Sequence, residues 1–265
     1  ITYKKNDNKI FTEKNSIAKS LNNNIEISAE NFEYNTIENV ITAEKKVILE
    51  NKIEDYKIYS EFLSYMRNDE KVFTKGKTTA IIHSKYNLKT QNLIFYKNSM
   101  ELVSNDKTEL TDNLNMYNLS TFNYLINEEM LKGEKILINS NYKLAKSDKF
   151  YFKSAIIDLK NENFVASDTE IFMHKEIFDN SDNDPRIKGV SSKKKGGITT
   201  INKAVFTSCK KNDDCPPWSI QSNEIKHNKK KKQLIYKNAL LKVFDFPVLY
   251  FPKFFHPDPT VKRQS

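Results

Sequence analysis

The chain has 265 residues, a net charge of +9 and 38% hydrophobic residues, enough to bury a core without disulfide or metal staples. The apolar residues recur at regular positions, which excludes a disordered chain, and no stretch approaches the ~18–20 apolar residues of a membrane helix. The positive charge suits an anionic partner, although lysine and asparagine occur throughout and charge runs usually face solvent.

Residues 1–175 predict a series of antiparallel hairpins. Residues 25–34 and 40–49 alternate apolar and polar side chains around a turn-type stretch, and the pattern returns at 58–65 and 71–82. Within it, a small residue is followed three and five positions on by large apolar ones. The triplets are Ala29, Phe32 and Tyr34; Ser60, Leu63 and Tyr65; and Ser147, Phe150 and Phe152. Their uneven spacing favours hairpins of variable length over a solenoid of fixed period.

Later segments divide into one predicted loop and several strands. Residues 179–197 are rich in charge, Ser, Asn and Gly, which predicts an exposed, mobile loop. Alternation resumes at 198–206, 218–227 and 233–244. The chain has only five glycines, so asparagine, which tolerates left-handed backbone angles, is expected to form many turns.

Neither the cysteines nor the histidines predict a metal site. Cys209 and Cys215 lie six positions apart without a second pair, and the four histidines are scattered. A disulfide in an oxidising compartment and two free thiols both fit this spacing.

The sequence gives no positive sign of an enzyme or of a cofactor. It has no Gly-rich phosphate loop and no nucleophile elbow. The basic run 229–232 falls at a predicted turn between two strands, where charge normally serves solubility, so we expect no nucleic-acid partner.

The long apolar faces are the remaining functional candidate. They either form a closed core or, if the sheets splay, line a trough for acyl chains, in which each buried methylene contributes ~0.8 kcal/mol. The residues concerned are Ile25, Ile27, Phe32, Tyr34, Ile58, Phe62, Leu63, Tyr65, Phe150, Phe152, Ile171 and Phe172.

The C-terminal stretch resembles a known family. Its motifs are Thr-Ser-Cys at 207–209, Cys-Pro-Pro-Trp-Ser-Ile at 215–220, Tyr-Lys-Asn-Ala-Leu at 236–240, Phe-Pro-Val-Leu-Tyr-Phe-Pro at 246–252 and His-Pro-Asp-Pro-Thr-Val-Lys-Arg at 256–263. They resemble the LptD family of lipopolysaccharide-assembly outer-membrane proteins, most closely its alphaproteobacterial members, where the periplasmic domain passes into the barrel. The repeats over residues 1–178 are similar to the OstA-type jelly roll in pattern only.

This resemblance implies a fold and a division of the chain. The fold is expected to be a V-shaped, antiparallel β jelly roll with an open apolar groove over residues 1–245. Residues 246–265 would link it to a C-terminal outer-membrane β-barrel. The protein would be non-enzymatic, without a cofactor, and would lie at the cell outer membrane on the periplasmic side.

The resemblance also implies roles for single residues. The groove candidates are Ile25, Ile27, Phe32, Tyr34, Phe62, Tyr65, Phe150, Phe152 and Ile171. Residues at the barrel junction would be Trp218, Pro247, Pro252, Pro257 and Pro259. Cys209 matches the family position that usually forms a disulfide to the barrel, whereas Cys215 departs from that pattern, so a local bridge between these two cysteines is an alternative.

The implied partners are lipopolysaccharide and two proteins. An LptA-type periplasmic bridge protein would add a strand at the N-terminal edge, and the plug lipoprotein LptE would bind through the barrel. Lysines near the groove would meet the phosphorylated headgroup. The alternatives are a carbohydrate-active β-solenoid enzyme and an all-β adhesion or interaction domain with a closed core.

Overall fold

The computed structural model describes residues 1–20, 24–144, 147–174, 184–210, 217–258 and 261. In these segments the chain forms 21 antiparallel β-strands and one 3-10 turn, Lys5–Asp7. The predicted all-β class is confirmed, and the arrangement is consistent with a β jelly roll. None of the helical segments within these ranges is long and apolar enough to span a bilayer.

The strands have the following bounds. They are β1 (Thr2–Lys4), β2 (Lys9–Lys19), β3 (Ile25–Asn35), β4 (Val40–Asn51), β5 (Tyr56–Met66), β6 (Lys71–Thr74), β7 (Lys77–Ile82), β8 (Tyr86–Gln91), β9 (Ile94–Tyr96), β10 (Glu101–Ser104), β11 (Thr108–Thr111), β12 (Asn115–Leu119), β13 (Thr121–Leu125), β14 (Met130–Ser140), β15 (Lys149–Asp158), β16 (Asn163–Phe172), β17 (Arg186–Lys195), β18 (Ile198–Thr207), β19 (Trp218–Asn228), β20 (Gln233–Val243) and β21 (Phe246–Pro257).

The chain divides into two compact units. The first comprises Ile1–Asn113 and Tyr117–Leu131, and the second comprises Leu114–Met116 and Lys132–Ser265.

In the first unit a meander of long strands gives way to two rows of short ones. Strands β2 to β5 pair in chain order. β5 then pairs with β7 through its first half and with β6 through its second half, so the predicted continuous strand 71–82 is interrupted at Gly76. From there β7 continues to β8 and β11, and β6 continues to β9, β10 and β13.

The first unit has a more regular repeat than the sequence predicted. Equivalent apolar positions, nearly all of them buried, recur along the chain at a nearly constant interval. One such series is Phe32, Leu63, Leu93 and Phe122, and another is Tyr34, Tyr65, Phe95 and Tyr124. The turns that follow the second series end at Asn39, Glu70, Met100 and Glu129, all with positive φ. The repeating element is therefore a pair of antiparallel strands, or the short strands that replace such a pair.

The second unit is a meander in which β15 to β21 pair in chain order. Its core includes Ile187 on β17, Ile201 and Phe206 on β18, Ile225 on β19 and Tyr236 on β20. Part of that core is closed by half-buried aromatic residues near β21, which bear on the candidate site below.

The buried side chains change phase in the middle of the long strands. In β16 the buried residues are Phe164 and Ala166 before Asp168, and Thr169 and Ile171 after it. Asp168 has a φ of 44°, and the ladder to β17 skips this residue. Strands β18 and β20 have the same left-handed residue at mid-strand. Such an irregularity keeps one face of the strand buried through both of its halves. It explains why buried residues such as Ala29 and Phe32 are three positions apart in the sequence instead of two.

Two expectations about individual segments need correction. Most of the predicted mobile loop 179–197 is strand β17, which pairs with β16 and β18 on its two sides. Apart from Ile187, its inward residues, such as Gly189 and Ser192, are small or polar, so apolar alternation does not reveal it. The expected linker likewise begins with a twelve-residue strand, β21. Residues 179–183 lie outside the described residues.

Candidate functional site

Most of the predicted groove residues of the first unit are buried. Ile25, Ile27 and Phe32 on β3 and Tyr65 on β5 are at most 8% exposed. Phe62 is half-buried on the opposite face of β5 from Leu63, and Tyr34 is also half-buried. The first four residues therefore contact protein over nearly their whole surface.

The tyrosine hydroxyls of these positions are anchored at the turns. Tyr34 donates a hydrogen bond to the Asn39 side chain at 2.9 Å, and Tyr65 donates to the Glu70 carboxylate at 2.7 Å. Glu70 also pairs with Lys97 from the next repeat. Burial and the hydrogen bond to this carboxylate raise the pKa of Tyr65. These contacts link one strand pair to the next, so the tyrosines have a structural role.

The groove candidates of the second unit form one aromatic group. Phe150 and Ile171 are directly opposite each other on β15 and β16. The ring of Phe152 lies 4.9 Å from that of Phe164 and 6.4 Å from that of Phe150. Phe152 and Ile171 are buried, while Phe150 is half-buried.

Strand β21 exposes apolar side chains on both of its faces. The consecutive residues Val248, Leu249 and Tyr250 are all more than half exposed, and Phe246 and Phe255 are 75% and 62% exposed. Neighbouring side chains point to opposite sides of a strand, so neither face of β21 is fully covered. Exposed apolar surface of this extent usually marks a contact with a protein or a membrane.

The prolines of β21 suit a strand at the edge of a sheet. Pro247, Pro252 and Pro257 are all exposed, and β20 is the partner of β21 within the described residues. Proline has no N–H to donate to a second neighbouring strand. A partner of this surface would therefore contact its side chains more than its backbone.

An aromatic cluster lies behind β21, on the inward face of the second unit. Phe206 contacts Trp218 at a ring separation of 5.9 Å and Tyr236 at 6.3 Å. Phe254 lies 5.6 Å from Tyr236, and His256 lies 5.4 Å from the same ring. Phe254, His256 and Trp218 are only half-buried. The core thus reaches the surface at this end of the unit.

His256 is a neutral member of this cluster. Its Nδ1 lies 2.6 Å from the carbonyl oxygen of Pro257, which can only accept, so Nδ1 donates. Its Nε2 then accepts from the Tyr236 hydroxyl at 2.8 Å. Burial lowers the pKa of His256 and raises that of Tyr236, consistent with this arrangement.

The other predicted junction residues lie beside the cluster. Trp218 begins β19, and its carbonyl oxygen accepts a hydrogen bond from Thr207 Oγ1 at 2.8 Å. Cys209 is half-buried, and its Sγ lies 3.7 Å from the same carbonyl oxygen. Cys215 and Pro259 lie outside the described residues, so the disulfide and the role of Pro259 remain predictions.

Sequence reasoning found the junction segment but not its individual contact residues. Val248, Leu249, Tyr250 and Phe255 were not among the predicted site residues. Their signal is the unbroken apolar run between Pro247 and Pro252, which contrasts with the alternation of the other strands.

Comparison with known proteins does not add to the family resemblance, which depends on the sequence motifs. No protein-family model matches the chain. No curated protein matches it either.

Proposed function

We propose that this chain is the periplasmic domain of a lipopolysaccharide-transport protein of the outer membrane. In this role it receives lipopolysaccharide from a periplasmic bridge, shelters the acyl chains and passes the lipid to a membrane barrel. The C-terminal motifs support this proposal, and among the structural features strand β21 carries it. A strand that exposes apolar residues on both faces fits a place where acyl chains leave the domain.

Charge next to β21 fits a phosphorylated headgroup. Lys237 on β20 lies directly opposite Lys253 on β21, and both are exposed. Like charges opposite one another in a sheet are unfavourable, so a bound phosphate group would stabilise this pair. Tyr250 and Phe255 are opposite Leu240 and Ile235 in the rows on either side. Lipid phosphate and acyl chain would thus meet neighbouring parts of one surface.

The N-terminal edge suits the bridge protein. β1 pairs with only Lys9, Ile10 and Phe11 of β2. On its other side β2 pairs with β3 from Lys9 to Lys19. Its outer backbone groups are therefore placed to accept a strand of an LptA-type partner. Contact with the lipoprotein LptE would require the barrel.

Site-specific photo-crosslinking tests the lipid contact. A photoreactive amino acid at Tyr250 or Phe255 is expected to label lipopolysaccharide. The matched control is Val165 on β16, which is 64% exposed but lies on a strand that pairs with β15 and β17 on its two sides. Labelling from β21 but not from Val165 supports the proposal. Equal labelling from both strands, or labelling from neither, contradicts it.

The second candidate is an all-β interaction domain with a closed core. The near-complete burial of Ile25, Ile27, Phe152 and Ile171 favours it. In that case β21 would bind a protein partner, and crosslinking would recover protein rather than lipid.

A further inference from the structure

A histidine and an aspartate from separate strands meet inside the second unit. His227 lies near the end of β19, and Asp258 follows the last residue of β21. Both residues are 5% exposed. The imidazole Nε2 and the carboxylate Oδ2 are hydrogen-bonded to each other. A pair so completely removed from solvent differs from the exposed ion pairs on the surface.

The pair bridges two strands that are not neighbours. β19 and β21 each pair with β20, which lies between them. Asp258 therefore reaches past the end of β20 to contact His227. Its backbone N–H donates to the carbonyl oxygen of Lys232 at 2.8 Å, in the turn that joins β19 to β20. The chain after β21 is thus folded across the end of this hairpin.

A second side-chain contact, made by His256 two residues before Asp258, also holds the end of β21. Residues i and i+2 of a strand point to the same face, and His256 bonds to Tyr236 just before Asp258 bonds to His227. The carbonyl oxygen of Asp258 also accepts a hydrogen bond from the N–H of Val261 at 3.0 Å. Both side chains hold the end of β21 inward.

We propose that His227 and Asp258 form a latch that fixes the C-terminal end of β21 to the β19–β20 hairpin and sets the direction in which the chain leaves the sheet. Most of β21 is exposed, so burial contributes little to holding this strand. Removing one partner of a buried pair leaves the other without compensation, which makes the pair a strong point of attachment. This role does not depend on lipid transport.

Hydrogen exchange of the complete chain tests the latch. The variants are Asp258→Asn, His227→Gln and the double variant. Each single variant is expected to speed exchange of the amides at 250–258 by about tenfold or more, while β15 and β16 remain unchanged. The double variant should exchange no faster than the more severe single variant, because both changes remove one contact.

The control breaks an exposed ion pair on the same strand. Glu224→Gln removes the Lys226–Glu224 contact of 3.2 Å and should leave exchange at 250–258 unchanged. Three results would overturn the proposal: unchanged exchange at 250–258 in the single variants, additive effects in the double variant, or equal acceleration in β15 and β16. The last would show that the pair supports the whole core instead of the end of β21.

Discussion

Replacement of Phe152 by alanine distinguishes a filled interior from an open groove. Phe152 was predicted to line a lipid groove, yet it is fully buried. Its ring packs against Phe164 and Phe150, and its strand neighbour Ala155 is buried on the same side of the sheet. If the interior is filled in solution, the truncated side chain leaves a cavity.

The size of the effect follows from burial. Truncation of a buried phenylalanine usually costs about 3–5 kcal/mol, from lost transfer free energy and the cavity that remains. For a protein of this size, that loss corresponds to a fall in melting temperature of about 6–20 °C. A phenylalanine that faces an open groove would lose far less on truncation, because its ring would already contact solvent.

Urea unfolding, followed by circular dichroism, measures this difference. Phe255→Ala on β21 provides the matched control, since that ring is 62% exposed and its loss should cost less than about 1 kcal/mol. A loss below about 1 kcal/mol for Phe152→Ala as well would refute the filled interior around Phe152. It would also restore Phe152 as a lipid-contact residue.

Three further predictions concern the framework. Gly189→Ala should destabilise the protein by about 1–3 kcal/mol in urea unfolding, because its Cβ would overlap Ile201 and lie 3.0 Å from a backbone oxygen; unchanged stability would contradict this packing. Lys232→Gly should stabilise by up to about 1 kcal/mol, since Lys232 is exposed with a φ of 49°; a lower melting temperature would contradict this. Burial raises the pKa of Glu70, but hydrogen bonds from Lys97 and Tyr65 outweigh it and hold that pKa below its usual value. The stabilisation that the Glu70 carboxylate provides is therefore present above its pKa in the unfolded chain and is lost as pH falls through its pKa in the folded chain. Glu70→Gln should make the stability depend less on pH in the acid range, and an unchanged dependence would contradict this.

The hairpins could be predicted because local pattern determines them. The predicted strands 25–34 and 40–49 correspond to β3 and β4, and the basic run 229–232 is the turn between β19 and β20. The triplet Ala29, Phe32 and Tyr34 marks the phase shift in β3. The triplet that begins at Ser147 has a different origin, because β15 starts after that residue.

Other features depend on tertiary context and left little trace in the sequence. The left-handed turn positions are occupied by Glu70, Met100 and Glu129 as well as by asparagine, so residue type alone does not mark them. The nearly constant period of the first unit was missed because its last two repeats lie in short strands, where Leu93 and Phe95, and then Phe122 and Tyr124, take the place of Leu63 and Tyr65. β17 was missed because its neighbours supply most of the apolar surface.

The exposed apolar residues of the two units have different explanations. Ile37 and Ile53 each lie alone in a hairpin turn, where one exposed side chain follows from the position. In β21 the consecutive residues Val248, Leu249 and Tyr250 are exposed together, and folding of this chain requires burial on only one face of a strand. A second apolar face contributes nothing to the isolated fold and favours aggregation. The surface is therefore best explained by a contact outside the described residues, which is why the lipid experiments are directed at β21.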